Sequence, residues 1–387
     1  MKWRMFICAI CFLIGGCSLN IPLEDQFSDP DAITDVLSAR SLLASAYKAM
    51  PQQIFQLSVL SDDFCPSQHL NKDMSLQGLY NWREVEMTEL AGTLWAGYYA
   101  VIAEVNALLA RIDAVVTLDE TEKLEKMRIV CEAKALKSWC YFDLLRLFAP
   151  RYEGNENKDG IILKKRVELD FLPRSSVKEC VTEIRTLLNE ARNVDNTQKN
   201  VYWLSDKAVA YLQVELELYA GNYPAVLELT KDLETEYPES VLGADVYKYL
   251  WSSENSDARI FGKYQLEQIY MDIRFDTFEK GDYLVLSQNV DYEEEDIRKE
   301  WSEIPFVMPD AKNVRLLGKY NKMNRDKVAS KYVNVARAAG MWLMRVEALA
   351  RSGKEGDAVA LANRMLKQRG ATEWSTNIAG KSEAKRS

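Results

Sequence analysis

Hydrophobic residues recur every three or four positions over long stretches of this chain, a spacing that predicts amphipathic α-helices. The two longest stretches cover residues 93–112 and 121–148, and Pro150 ends the second of them. Ser176 and Glu179 have the spacing of a capping box, in which each side chain accepts a hydrogen bond from a backbone amide at the start of a helix. We therefore expect a further helix to begin after Ser176 and to run to Ala191.

The same spacing indicates helices that come in pairs. Gly221 and Gly353 lie between the members of each pair, and glycine adopts the left-handed conformation of such turns at little cost. Helix, glycine-containing turn and helix is the pattern of tetratricopeptide repeats, in which each pair buries its apolar face against a neighbouring pair. The predicted pairs are residues 205–219 with 224–237, and residues 334–352 with 357–368.

Residues 240–330 have a different pattern. Three short runs, at 260–264, 283–287 and 304–308, are rich in β-branched and aromatic residues and predict small strands among loops. An acidic run at 293–296 is expected to be a solvated surface. The predicted fold is therefore mainly α, with tetratricopeptide-like helix pairs packed against an irregular segment that has a few short strands.

The start of the chain has the pattern of an export signal. Lys2 and Arg4 precede an apolar core at residues 6–14, and Gly15, Gly16 and Cys17 follow it. This order predicts a lipoprotein signal peptide over residues 1–16, lipid attached to Cys17, and one domain over residues 17–387. The alternative is an ordinary secretory signal with an incidental cysteine. No later stretch approaches the about 18 apolar residues of a membrane-spanning helix, so we expect the lipid to anchor the protein.

Composition narrows the possible functions. The formal net charge of −9 argues against nucleic acid as a partner and against binding to anionic lipid head groups. His69 is the only histidine, and no motif of a hydrolase, a zinc protease or a phosphate-binding loop is present. No CxxC pair suggests a metal or redox site, and Cys131 and Cys140 lie on different faces of one predicted helix. The sequence therefore predicts no enzyme activity, no cofactor and no metal.

Six segments resemble, in their order along the chain, the SusD/RagB family of outer-membrane nutrient-binding lipoproteins of the Bacteroidetes type. The resemblance covers about nine-tenths of the chain, although each segment alone is weakly specific. All six follow the lipoprotein signal pattern that ends at Cys17. The first three are Ser41-Leu-Leu-Ala-Ser-Ala-Tyr47, Ser61-Asp62-Asp63, and residues 95–106 with Trp95, Tyr98, Ile102 and Asn106. The last three are residues 132–148 with Glu132, Tyr141 and Phe142, Pro173-Arg174-Ser-Ser-Val177, and residues 337–348 with Leu343 and Glu347.

This resemblance implies a helical layer, about residues 31–240 and 331–370, that packs against a SusC-like TonB-dependent transporter. It also implies irregular ligand-facing segments, about residues 50–90 and 240–330, that capture an oligosaccharide or polysaccharide at the cell surface. The chain departs from the family in two places. Gly340 stands where the family usually has glutamate, and residues 371–387 lack the acidic and arginine-rich pattern that follows in the family.

Aromatic residues in the irregular segments suit sugar binding, because the apolar C–H face of a pyranose stacks on a flat ring while polar side chains bind its hydroxyl groups. By contrast, Trp95, Trp139 and Trp342 follow helical stripes and are expected in the core. The candidate capture rings include Tyr202, Trp203, Trp251 and Tyr292. The preferred ligand-binding residues are Asp63, Tyr80, Asn81, Trp82, Arg83, Tyr283 and Trp301.

Two other functions remain open from the sequence. A member of the same family could act as a lid that captures peptides, and a peptide site would use sheet edges and fewer exposed rings. A lipid-anchored repeat scaffold that assembles other envelope proteins would need only the helix pairs. The aromatic segment at 240–330 favours nutrient capture over a scaffold.

Overall fold

The structure is a computed structural model with a mainly α fold, as the sequence predicts. Cys17, Asp63, His69, Tyr283 and the tail after residue 374 lie outside the residues that it describes. The described residues are 33–51, 53–61, 64–66, 74–168, 170–192, 201–251, 255–264, 284–286, 292–307, 311–319 and 332–374.

The helices in chain order are α1 (Val36–Ala49), α2 (Ile54–Leu60), α3 (Met74–Tyr80), α4 (Glu84–Arg111), α5 (Glu120–Phe148), α6 (Val177–Glu190), α7 (Asp206–Tyr219), α8 (Tyr223–Leu229), α9 (Leu233–Glu236), α10 (Ala244–Tyr247), α11 (Ile297–Ser302), α12 (Ala338–Arg351) and α13 (Glu355–Arg369). Short 3-10 turns add Ile112–Ala114, Glu239–Leu242 and Lys248–Trp251. The strands are β1 (Phe64–Pro66), β2 (Arg259–Tyr264), β3 (Leu284–Leu286), β4 (Glu303–Val307), β5 (Asn313–Leu317) and β6 (Tyr332–Arg337).

The helix ends follow the local chemistry of the sequence. The capping box of Ser176 and Glu179 is present at the start of α6, and Ser205 caps α7. Gly221 and Gly353 adopt φ values of 69° and 74°, which are the left-handed turns predicted between the paired helices. Asp119 caps α5, which ends at Phe148 before Pro150.

Three predicted helices were wrong in their bounds. The helix expected over 93–112 begins nine residues earlier, because α4 spans Glu84–Arg111. The helix expected over 224–237 is broken into α8 and α9, because Thr230 ends α8 and its hydroxyl donates to the carbonyl of Val226 at 2.7 Å. The helix expected from residue 334 starts only at Ala338, since residues 332–337 form β6 and pair antiparallel with β2. The valines and tyrosine of β6 give it strand propensity that a helical apolar spacing concealed.

The helices form one layer with a shared core. Helix α1 packs on α4 and α5, α5 packs on α6, and α7 and α8 pack on α12, which in turn packs on α13. The expected core residues Trp139 and Trp342 are buried, and the Trp139 ring meets Phe261 of β2 edge-on at 5.0 Å. The irregular part is therefore attached to the helical layer through β2 and β6.

Helix α4 corrects the expectation that no later stretch has the character of a membrane span. By length and composition, residues Glu84–Ala114 are long and apolar enough to cross a membrane. However, Leu94, Tyr98 and Val101 are buried against the neighbouring helices, as in the core helix of a folded domain. Small residues such as Ala96 and Ala100 on its exposed face raise its hydropathy.

The acidic run at 293–296 is exposed at Glu293, Glu294 and Glu295, as expected, but Asp296 departs from this expectation. Asp296 is buried, caps α11 and binds Arg298 through both carboxylate oxygens, at distances of 2.6–3.1 Å. Glu293 accepts hydrogen bonds from the backbone amide and the hydroxyl of Thr372, each at 2.7 Å. Glu293 therefore joins the irregular segment to the chain that follows α13, whereas the buried carboxylate of Asp296 is compensated by Arg298.

Gly340 lies in α12, and the structure gives a reason for glycine at this helical position. A Cβ atom there would lie 2.5 Å from Tyr211 Oη and 2.9 Å from its ring carbon Cε2. We expect Gly340→Ala to lower the free energy of unfolding by about 1–2 kcal/mol in urea titrations, because overpacking outweighs the better helix propensity of alanine.

Two control experiments test whether the contact with Tyr211 causes the effect of Gly340→Ala. In a Tyr211→Leu background the ring is gone, and Gly340→Ala should then stabilise the fold by up to about 1 kcal/mol. Gly92 in α4 has no neighbouring atom within 4 Å of the point where an added Cβ would lie, so Gly92→Ala should stabilise in either background. A stabilising effect of Gly340→Ala with Tyr211 in place would contradict the close contact.

Candidate functional site

The turn between α3 and α4 presents an aromatic ring to solvent. Trp82 is 62% exposed and has a φ of +53°, in the left-handed region. The amide of Trp82 donates to the carbonyl of Leu79 at 3.0 Å, and the amide of Arg83 donates to that of Gly78 at 2.9 Å. This hydrogen-bond pattern ends a helix with a left-handed residue, which is usually glycine. A tryptophan there costs roughly 1–2 kcal/mol of backbone strain, so its position points to a role outside folding.

Polar side chains flank Trp82 on both sides. The Asn81 side-chain amide donates to the carbonyl of Gln77 at 2.8 Å, which fixes its orientation at the surface. Arg83 is half exposed and forms an ion pair with Glu86 at 3.1 Å. The Glu86 carboxyl group lies directly over Gly78, where a Cβ atom would collide with it. Four consecutive candidate residues, 80–83, are thus held in one rigid turn.

The other preferred aromatic residues are less exposed. Tyr80 and Trp301 are half-buried and pack against the hydrophobic core. Trp301 belongs to α11, which continues directly into β4. Asp63 and Tyr283 lie outside the described residues, but they are next in sequence to β1 and β3.

The strands connect the two irregular segments that were expected to face the ligand. β1 pairs antiparallel with β3, with Phe64 opposite Leu286 and Pro66 opposite Leu284. β3 also contacts β5, and β5 pairs with β4. Because α3 contacts β1, a continuous row of elements runs from the Trp82 turn to α11 and Trp301.

Of the further aromatic candidates, none is mainly exposed. Trp251 is buried, so it cannot serve as an exposed stacking surface. Trp203 is half-buried between the Tyr47 ring, at 4.9 Å, and the Arg40 guanidinium, at 5.2 Å. Among the candidate rings that the structure describes, Trp82 therefore offers the largest free face.

A groove beside α4 was missed in the sequence. Trp95, which was expected in the core, is only half-buried and lines this groove of about 590 Å³ together with Tyr99 and Phe171. The Tyr99 hydroxyl donates to the carbonyl of Ile162 at 2.8 Å, which fixes the ring in place. Phe171 is fully exposed at the rim, and Arg174 lies over the Trp95 ring at 5.1 Å. The regular apolar spacing of α4 gave no signal that one side of the helix borders a groove.

Buried polar residues on α4 and α5 hold the chain beneath that groove. The Asn106 amide and the Tyr141 hydroxyl both donate to the carbonyl of Lys164, at 3.0 and 2.6 Å. Lys137 donates to Asn106 Oδ1 at 2.6 Å, and burial lowers the pKa of Lys137 to about 8. Asn and Lys within an apolar stripe were the signal that could have revealed this network.

The described residues contain no arrangement suited to a metal. No group of three or more histidine, cysteine or acidic side chains in this part of the chain could hold an ion. Cys140 and Cys180 are buried, and Cys65 and Cys131 are partly buried. The arrangement at residues 80–83, an exposed ring flanked by an amide and a guanidinium, suits reversible binding of a polar ligand with apolar faces.

Comparison with known proteins places these features in context. A family model described as "SusD-like_3: Starch-binding associating with outer membrane" matches residues 23–214. Among curated protein sequences, none matches this chain at a significant level.

Solved structures with the same fold come from Bacteroides species. A SusD-like carbohydrate binding protein from Bacteroides vulgatus is 18% identical with a TM-score of 0.70, over 91% of this chain and 79% of its own. A SusD superfamily protein from Bacteroides thetaiotaomicron is 17% identical with a TM-score of 0.71, over 89% and 83%. A SusD superfamily protein from Bacteroides fragilis is 19% identical with a TM-score of 0.69, over 90% and 83%. At this level of identity, the structures establish the shared fold.

Proposed function

The chain belongs to the SusD/RagB family, and on this basis we propose that it is a non-catalytic, outer-membrane-associated protein that binds glycans. It passes the bound glycan to a SusC-like TonB-dependent transporter. Lipid on Cys17 anchors it to the outer membrane, with the ligand-binding side at the cell surface. The family description, which names starch binding and association with the outer membrane, supports this proposal.

The observation that carries the proposal is the exposed, left-handed Trp82. Its ring offers an apolar face to a pyranose, and Asn81 and Arg83 lie beside it to bind hydroxyl groups. A flat ring on a rigid turn loses little conformational freedom when a sugar stacks on it, so more of the contact energy appears as affinity.

We expect Trp82→Ala to weaken glycan binding at least tenfold, about 1.4 kcal/mol, because the stacking face is lost. The measurement is affinity electrophoresis of the protein starting at Ser18 against a panel of polysaccharides. Trp374→Ala is the matched control, since Trp374 is also more than half exposed but lies outside the candidate site. It should leave the retardation unchanged.

A second variant separates binding from folding. Trp82→Gly should raise the free energy of unfolding by about 1 kcal/mol or less, because glycine tolerates the left-handed conformation. It should nevertheless abolish retardation as Trp82→Ala does. Full retardation of the Trp82 variants would contradict this site, and a folded protein retarded by no glycan would contradict glycan binding.

A further inference from the structure

Among the described residues, two arginines near the end of α13 lack a negative partner. Arg369, the last residue of α13, is only 8% exposed, and its Nη1 atom is buried with no hydrogen-bond partner in this part of the chain. Its guanidinium lies 4.3 Å over the Tyr247 ring. A buried cation without a paired anion is strongly unfavourable, so the unsatisfied Nη1 atom of Arg369 requires an explanation.

Arg337 lies close to the same aromatic pair. Its guanidinium is 5.5 Å from the ring centre of Trp251, and the Trp251 and Tyr247 rings are 5.6 Å apart. Within the described residues, Arg337 forms no ion pair with a carboxylate. The faces of both guanidinium groups are held against rings, and Arg369 Nη1 has no hydrogen-bond acceptor in this part of the chain.

The carboxylate that acts electrostatically on Arg369, that of Asp296, already has a partner. Asp296 binds Arg298 through both oxygens and also accepts from the Arg298 backbone amide at 2.9 Å. Burial, together with the positive charges of Arg298 and Arg337, lowers the pKa of Arg369 to about 10, while Tyr247 and Asp296 oppose the shift. The local charge of Arg298, Arg337, Arg369 and Asp296 thus remains positive in a chain whose net charge is −9.

This group of Arg337 and Arg369 over Tyr247 and Trp251, here called the arginine pair, fits a planar oxyanion. Guanidinium groups bind carboxylates through parallel N–H···O hydrogen bonds, and such charge-assisted bonds are about twice as strong as neutral ones. A neutral sugar would leave both charges uncompensated. Arg298 is on α11 together with Trp301, so the arginine pair borders the irregular segment to which glycan capture is assigned.

We propose that Arg337 and Arg369 bind the carboxylate of an acidic sugar, so that the glycan of this protein contains uronic acid. This inference rests on the proposed function and specifies its substrate class. The arginine pair supplies the charge recognition, whereas Trp82 supplies a stacking face.

The test is calorimetric titration of the protein starting at Ser18 with an oligogalacturonide and a glucuronate oligosaccharide, each also as its uncharged methyl ester. We expect the acidic form of at least one sugar to bind at least tenfold more tightly than its ester. Arg337→Gln should remove this preference without changing the affinity for the ester. Arg369→Gln should do the same, and circular dichroism should establish that both variants are folded.

Arg351→Gln is the matched control, because Arg351 is exposed on α12 and pairs with Glu347 at 3.5 Å. It should retain the preference for the acid. Equal binding of acid and ester, or a preference that survives Arg337→Gln, would overturn the inference. Equal affinity for succinate would overturn its assignment to a sugar.

The two proposals can fail separately. Trp82-dependent binding of neutral glycans without any preference for acidic sugars would leave the proposed function standing and refute the inference. A folded protein that binds no glycan of either kind would refute both.

Discussion

Replacing Arg40 by methionine is expected to lower the free energy of unfolding by about 3–5 kcal/mol, because it leaves a buried carboxylate without its partner. Glu132 on α5 is 1% exposed, and its Oε2 atom accepts from Arg40 Nη1 of α1 at 2.9 Å. Arg40 also binds Glu125 through Nε at 2.8 Å. Methionine keeps much of the apolar volume, so the loss reports the charge and not a cavity.

The effect should depend on pH with a defined sign. Burial raises the pKa of Glu132 to about 6, although Arg40 acts to lower it. Because this folded-state pKa lies above the ordinary value of 4.5, the folded protein takes up the proton first, and protonation stabilises it as pH falls through about 6. Without Arg40 the pKa rises further, so the deficit of Arg40→Met should be largest near neutral pH and shrink towards about pH 5.

Urea titrations at several pH values measure this dependence. Lys123→Met is the control, since the pair of Lys123 with Glu120 is exposed and worth at most about 1 kcal/mol. A deficit that stays constant between about pH 8 and pH 5 would contradict the assignment of the loss to ionised Glu132.

Truncation of Trp342 should have an effect of similar size. Trp342 is fully buried in α12, and its indole N–H donates to the carbonyl of Tyr237 at 3.0 Å. We expect Trp342→Ala to lower the free energy of unfolding by about 3–5 kcal/mol, through lost apolar burial and a cavity between α12 and the chain after α9. Trp342→Phe should cost less, although it leaves the Tyr237 carbonyl without this donor.

The neighbouring position provides the comparison. Leu343 is 56% exposed on the same helix, so Leu343→Ala should change the free energy of unfolding by less than about 0.5 kcal/mol. Unfolding of Trp342→Ala and Leu343→Ala at the same urea concentration would contradict the burial of Trp342 between α12 and its neighbours.

The family resemblance of residues 132–148 has a physical basis in the structure. Glu132 binds Arg40, Tyr141 holds the carbonyl of Lys164, and Lys137 binds Asn106. Each of these polar residues fixes a neighbouring element to α5. Such contacts specify the arrangement of the helices, whereas the apolar residues between them contribute most of the burial.

Much of the fold was predictable because it depends on local chemistry. Periodicity and caps placed α5, α6 and α7 within a residue at most ends, and three β-prone runs correspond to β2, β3 and β4. The buried Trp139 and Trp342 were recognised from their stripes. A helix start, a left-handed glycine and an apolar face each depend on residues within a few positions of one another.

The candidate site was only partly predictable. Trp82 could be chosen as a candidate from the sequence because Asn81 and Arg83 lie beside it. Its exposure and its left-handed backbone conformation, however, are properties of the folded turn. The exposure of Trp95 and Trp251 could not be predicted from the sequence. Trp95 follows a helical pattern but is only half-buried, whereas Trp251 lies in an irregular segment but is buried. Periodicity reports which side of an element is apolar, but it does not report what lies opposite.

The resemblance to the family, the mainly α fold, the starts and ends of α5, α6 and α7, and one tryptophan of the candidate site all follow from the order of residues in the chain. Three-dimensional contacts were needed to establish that β1 pairs with β3 and that Asp296 forms its ion pair with Arg298. They were also needed to place Arg337 against Trp251 and Arg369 against Tyr247, with no carboxylate paired to either arginine among the described residues. The reason is that local conformational preferences act between near neighbours in the chain. Burial, charge balance and the pairing of distant strands are set by contacts between residues far apart in sequence, which no local pattern encodes.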